Sequence, residues 1–179
     1  MEKCGFTQSE LDPCLFYSES VMLVSWVDDL VLMSCDSTLL NTLIADLKTD
    51  SKLTDEGKLT AFLGIKVAHT DDGKQFTLTQ PSLTECVIDT LGLATDNMHW
   101  VPASTTALGS DVSSEQFSES WNYRSVVGIL LYLSNNSHPD IAFDVHQCAR
   151  FSHNPKHSHG VVVKAIRQYL LHTRDKGLG

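Results

Sequence analysis

Two adjacent carboxylates, Asp28 and Asp29, interrupt an otherwise apolar run that extends from Val21 to Ser34. Like charges held side by side repel, and a chain reversal does not need them, because Asn-Gly or Asp-Gly turns a hairpin at lower cost. A divalent cation would remove the repulsion, and a hard ion such as Mg²⁺ takes carboxylate oxygens. The bland alternative is a hairpin with a charged tip, for which Asp is suited by its tolerance of unusual backbone angles. A second group could bind a softer metal. His146, Cys148, His153, His157 and His159 fall within fourteen residues, and His157-Ser158-His159 has a usable spacing. Pro155 divides that group between two helices and no second Cys stands near, so solvent-facing histidines are the better reading.

The flanks of the acidic pair are β-branched and aliphatic and have strand length, so they read as two strands packed on a core. Cys14 to Ser18 reads as a short strand before them, giving a three-stranded meander. Asp36 offers an N-cap, and Leu39, Leu40, Leu43, Ile44 and Leu47 repeat at helical spacing to about Thr49. Leu59 to His69 and Gln75 to Thr79 read as strands joined by Asp71-Asp72-Gly73, followed by a helix from Pro81 to a stop at Gly92. Residues 94–119 are rich in Ser, Thr and Asp and read as a linker or irregular connection. Three helices then follow: Trp121 to Leu133, Pro139 to Phe151, and Lys156 to Thr173. Strands and helices mix without regular βαβ alternation, so the class is α+β, closing in a small helical bundle.

The net charge of −9 is unevenly placed. Residues 1–120 carry 6 Lys/Arg against 19 Asp/Glu, while residues 121–179 carry 7 against 3 and hold six of the eight histidines. Such asymmetry suggests two modules with different partners. The five scattered cysteines favour reduced thiols in an intracellular protein. No apolar run is long enough to span a bilayer, and the first residues resemble no signal peptide.

Taken in order, these pieces resemble the reverse transcriptase of copia-type LTR retrotransposons. Gly5-Phe6 with Ser9, and Asp12-Pro13-Cys14-Leu15-Phe16, resemble the segment leading into that family's catalytic hairpin. Trp26-Val27-Asp28-Asp29 is similar to its Tyr-Val-Asp-Asp signature. Gly57-Lys58-Leu59 with Phe62-Leu63-Gly64-Ile65 resembles the strand that grips the primer. Tyr123-Arg124-Ser125, Val127-Gly128, Leu131-Tyr132-Leu133, Pro139-Asp140-Ile141, Arg150-Phe151 and Tyr169-Leu170 resemble its thumb.

The resemblance implies a partial ferredoxin-like palm over residues 1–93, with an antiparallel sheet and two helices, and a three-helix thumb over 120–179. It implies that Asp28 and Asp29 are catalytic and help hold two Mg²⁺ ions for nucleotidyl transfer. Trp26, Val27, Phe62, Leu63 and Gly64 would touch primer or nucleotide, and Arg150, Lys156, Lys164, Arg167 and Arg174 the nucleic-acid backbone. Template–primer, dNTPs and the rest of a Pol polyprotein, with fingers upstream and RNase H downstream, are the implied partners, and no membrane. No segment resembles the family's third metal-binding carboxylate or its fingers, so the chain reads as a fragment inactive alone. The alternative is a degenerate or repurposed nucleic-acid or protein binding module. Several residues depart from the pattern: Trp26 stands for Tyr, His138 for an Arg, and Asp144 for a small apolar residue.

Overall fold

A computed structural model describes residues 5–72, 74–92 and 107–179, which divide into two compact units, Met1–Leu59 and Thr60–Gly179. The described residues hold two antiparallel sheets and five α-helices, an α+β architecture as expected.

In the first unit, β1 (Thr7–Gln8), β2 (Leu15–Tyr17), β3 (Val21–Trp26) and β4 (Asp29–Ser34) form a sheet in sequential order. The meander therefore has one more strand than expected. β1 is only two residues long, too short for hydrophobic alternation to mark it. Helix α1 (Ser37–Asp50) starts where Asp36 accepts hydrogen bonds from the amides of Thr38 and Leu39, at 2.8 and 3.2 Å. Phe6, Val21 and Leu23 are buried at the centre, with Phe16, Leu30, Leu32 and Leu43 packed around them.

The β2–β3–β4 register assigns each side chain to a face. Val21 opposes Ser34, Leu23 opposes Leu32 and Ser25 opposes Leu30 on the core side. The other face carries the rows Tyr17–Met22–Met33, Leu15–Val24–Val31 and Trp26–Asp29. Tyr17, Met22 and Met33 keep 45%, 46% and 44% of their surface exposed. This sheet is thus apolar on both sides while only one side has a core.

The second unit begins with β5 (Ala61–Phe62), β6 (Ile65–His69) and β7 (Phe76–Thr79). The run from Leu59 to His69, expected as one strand, is two strands of a hairpin. Leu63 (φ 50°) and Gly64 (φ 76°) turn the chain between Phe62 and Ile65. Gly64 supplies the left-handed backbone without strain; Leu63 does not. Gly73, part of the expected turn into β7, lies outside the described residues.

Helix α2 (Pro81–Leu91) follows, with Pro81 in its first turn and Gly92 at φ 69° ending it. Then come α3 (Tyr123–Asn136), a 3₁₀ turn (Pro139–Ile141), α4 (Ala142–Ala149) and α5 (His157–Thr173). Their shared core is built from Leu130, Leu133, Ile141, Val145, Cys148, Val163, Ile166 and Leu170, and Val87 of α2 is fully buried in it. Residues 94–106 of the expected linker lie outside the described residues. Its later part is irregular but docked: Phe117 donates to Pro155 O, His157 donates to Glu115 O, and the Phe117 ring meets Trp121 and Tyr123 edge-on at 4.7 and 5.4 Å while those two stack at 5.9 Å.

The two cores differ in size, and a small core stabilises less. Heating should therefore unfold the chain in two steps, residues 5–59 first, which hydrogen exchange followed by mass spectrometry resolves segment by segment. Val87→Thr, which keeps shape but buries a hydroxyl, should cost about 1–3 kcal/mol in the second transition and leave the first unmoved.

Candidate active site

β3 and β4 are joined by a two-residue loop, Val27-Asp28, closed by the Trp26–Asp29 pair. The turn is one residue earlier than the acidic pair suggests: Asp28 lies in the loop and Asp29 already belongs to β4. Val27 sits at φ 55°, in the left-handed region. A β-branched residue there costs about 1–2 kcal/mol, because its Cβ crowds the following carbonyl. Nothing local offsets this, since Val27 is 86% exposed.

Asp28 and Asp29 are both exposed. Neither side chain makes a hydrogen bond or ion pair with another described residue. Asp29 shares the outer face of the sheet with half-exposed Trp26. The tip therefore presents two neighbouring anionic groups and an aromatic ring to solvent. Among the described residues no three His, Cys, Asp or Glu side chains gather as a metal-ligand group. Two carboxylates are suitable hard donors for Mg²⁺, and its octahedral shell would need further oxygens from water or a bound phosphate.

Phe62, Leu63 and Gly64 lie together at the tip of the β5–β6 hairpin, in the second unit. Tyr132 of α3 donates a 2.6 Å hydrogen bond from its hydroxyl to Leu63 O, anchoring the left-handed turn. Sequence reasoning did not find this contact, because the partners are 69 residues apart.

The expected phosphate contacts have unequal access. Arg150 is exposed at the end of α4, donating to Gln147 at 3.0 Å and lying 5.6 Å from the Phe151 ring. Arg174 is exposed, 4.0 Å from Glu85. Lys156 is half-buried before α5, and Lys164 donates to Glu119 at 2.6 Å. Arg167 is only 4% exposed, enclosed by the core that packs on α5.

The histidine group separates, as Pro155 implies, but His159 is not solvent-facing. It is fully buried, accepting from the Lys156 amide at 3.0 Å, donating to Gly109 O at 3.0 Å and stacking on Phe151. Its polar atoms are satisfied because the docked 107–119 segment supplies a carbonyl. Cys14, Cys35, Cys86 and Cys148 are free thiols, and no helix among the described residues is long and apolar enough to cross a membrane.

An α+β chain with two exposed carboxylates at a hairpin tip has oxygen donors suited to a divalent cation. Residues 1–105, more than half of the 179, match the family described as Reverse transcriptase (RNA-dependent DNA polymerase), and the chain belongs to that family. The Retrovirus-related Pol polyprotein from transposon RE1 of Arabidopsis thaliana is 29% identical over 183 residues, covering 97% of this chain and 12% of that protein. The corresponding polyprotein from transposon TNT 1-94 of Nicotiana tabacum is 28% identical, covering 95% of this chain and 14% of its own length. An uncharacterized mitochondrial protein of Arabidopsis thaliana is 30% identical over 159 residues, 87% of this chain and 63% of that one. The chain thus corresponds to a reverse transcriptase portion of copia-type retrotransposon Pol polyproteins and spans a small share of their length. No solved structure matches it.

Replacing Val27 by Asn, which tolerates the left-handed region, should raise the stability of the first unit by about 1 kcal/mol. Val27→Ala, still an ordinary L residue, should not. Tyr132→Phe should cost the second unit about 1 kcal/mol, the usual net worth of one hydrogen bond. Denaturant melts of each variant give both numbers.

Proposed function

We propose that this chain carries the catalytic hairpin of a copia-type reverse transcriptase and that, within an intact Pol polyprotein, it serves RNA-directed DNA synthesis. The carrying observation is the exposed, unpartnered Asp28–Asp29 pair, held at a strained two-residue turn. Such an outlier is a reason to suspect function, since Gly or Asn at position 27 would remove the strain. Residues 1–93 are assigned to palm and 120–179 to thumb, with 94–119 connecting them. Helix α2 would then be the palm element that shares a core with α3 and α5.

In this reading Asp28 and Asp29 hold Mg²⁺, together with a carboxylate from elsewhere in the polyprotein. When bound, such ions would supply charge neutralisation for nucleotidyl transfer. Trp26 lies against the primer terminus, on the face it shares with Asp29. Val27 sets the angle at which Asp28 leaves the sheet. Phe62, Leu63 and Gly64 contact the primer strand, with Tyr132 fixing their hairpin. Among the basic residues, Arg150 and Arg174 are the accessible phosphate donors, Lys156 and Lys164 contribute once freed from local packing or Glu119, and Arg167 chiefly holds α5. Template–primer and dNTPs are the substrates, and the remaining Pol segments the partners, in the cytoplasm or nucleus.

The test replaces the matching segment of the tobacco TNT 1-94 polyprotein with residues 1–179 and measures primer extension. Asp28→Asn and Asp29→Asn should each lower the activity by about a hundred- to a thousandfold, on the scale of a lost electrostatic catalytic group. Substantial extension by the Asp28→Asn chimera would sink the assignment, and residues 1–179 alone should extend no primer. In the same chimera, Arg150→Gln with Arg174→Gln should flatten the salt dependence of RNA–DNA hybrid binding by up to about two units.

A further inference from the structure

The joint between the 3₁₀ turn, α5 and residues 176–179 contains a line of polar groups that the polymerase reading does not use. His138 stands immediately before the 3₁₀ turn, 1% exposed, with no hydrogen-bond partner at either ring nitrogen among the described residues. Its Nδ1 is 3.4 Å from Oδ1 of Asp140. Oδ2 of Asp140 accepts a 2.5 Å hydrogen bond from the Tyr169 hydroxyl of α5. Lys176 donates to that same hydroxyl at 3.4 Å and lies 5.5 Å from the ring centroid.

Two residues beyond Lys176 the chain pairs with β7. Leu78 donates to Leu178 O at 2.8 Å, and Leu178 donates back to Leu78 O at 3.0 Å. Between them Gly177 passes so close that a Cβ would stand 2.3 Å from Leu78 O. Residues 176–179 are thus a strap on the edge of the second sheet, and the polar line leads directly to it.

We propose that His138 and Asp140 form a proton-operated latch for this strap. With His138 neutral, Asp140 is committed to Tyr169, and Tyr169 receives Lys176. A protonated His138 needs an anionic partner, and Asp140 is the carboxylate beside it. At 3.4 Å the pair must close up, drawing Asp140 away from Tyr169 and placing a new cation near Lys176. Both effects loosen the strap. The groups facing His138 are therefore Asp140 on the 3₁₀ turn, Lys176 on the strap and, one step removed, Tyr169 on α5. On the side of β7 and α3, the Ser137–Gln80 hydrogen bond at 2.9 Å is uncharged.

Burial holds the His138 imidazole below its ordinary value, Asp140 pulls the other way, and Lys176 adds to the lowering. The unfolded or opened form therefore binds the proton more readily than the closed one. Closure is at full strength above about pH 6.5, the ordinary imidazole value, and weakens as pH falls below it.

The test follows hydrogen exchange of the Leu78 and Leu178 amides in the full chain at pH 7.5 and 5.5, corrected for intrinsic rates. Core amides of Leu130 and Val163 serve as the reference. Strap protection should fall by up to about tenfold at the lower pH, the equivalent of 1.4 kcal/mol and the most that one imidazole can supply over this interval, while the core amides hold. His138→Gln should abolish the difference, and His138→Asn, a second variant in case the first folds poorly, should abolish it too. Gly177→Val should leave the strap unprotected at both pH values. Equal protection at the two pH values, a difference that persists in His138→Gln, or parallel loss in the core amides would each overturn the latch.

Discussion

The pairing of β3 with β4 constrains everything in the first unit, because strand side chains alternate faces and a one-residue slip would exchange them all. In the observed register Leu23 and Leu32 face Phe6 and Phe16 in the core, and Asp29 stands beside Trp26 on the open face. Slipped by one, β4 would turn Asp29 inward against an apolar cluster where no cation is available to pair with it, which costs several kcal/mol. The loop must therefore close the ladder at Trp26–Asp29, and only two residues are left to reverse the chain. Val27 bears the resulting left-handed angle. Strain at the tip is thus a consequence of keeping the carboxylates outside and the leucines inside.

The second unit solves a different problem. α2 packs Val87 into the core of α3, α4 and α5, while the Tyr132–Leu63 hydrogen bond and the Leu78–Leu178 pairing tie β5–β7 to α3 and to the residues after α5. The family profile ends at residue 105, yet the retrotransposon relatives align over 95–97% of this chain. The helical part is accordingly shared with those polyproteins even where the profile stops. The boundary at Leu59/Thr60 falls inside the family match, so the matched stretch and the compact units do not share an edge.

Features that depend on neighbours in sequence were legible. Asp36 as an N-cap, the leucine spacing of α1, Pro81 and Gly92 bracketing α2, and Asn154-Pro155 before α5 each act within one or two turns. Features that depend on distant partners were not. Gly64 inside an apolar run is a break signal, but Leu63 at positive φ holds its place with help from Tyr132, far along the chain. His159 looked like a surface residue because its acceptor, Gly109 O, lies in a stretch with no periodicity. Arg167 reads as a phosphate contact by residue type, and its burial follows only from the helix packing around α5. Asp28 and Asp29 were legible for a different reason: two adjacent charges between apolar strands have no packing role to play.

Trp26 joins these threads. On the outer face it continues a surface of Tyr17, Leu15, Met22, Val24, Val31 and Met33, so its ring belongs to a sheet that is apolar on both sides. A sheet in water favours polar residues on the face it leaves open. The apolar outer face therefore has no use in an isolated unit of 59 residues, where it lowers solubility. Trp26 stands at the border of that face, so the apolar surface and the two carboxylates meet at the hairpin tip.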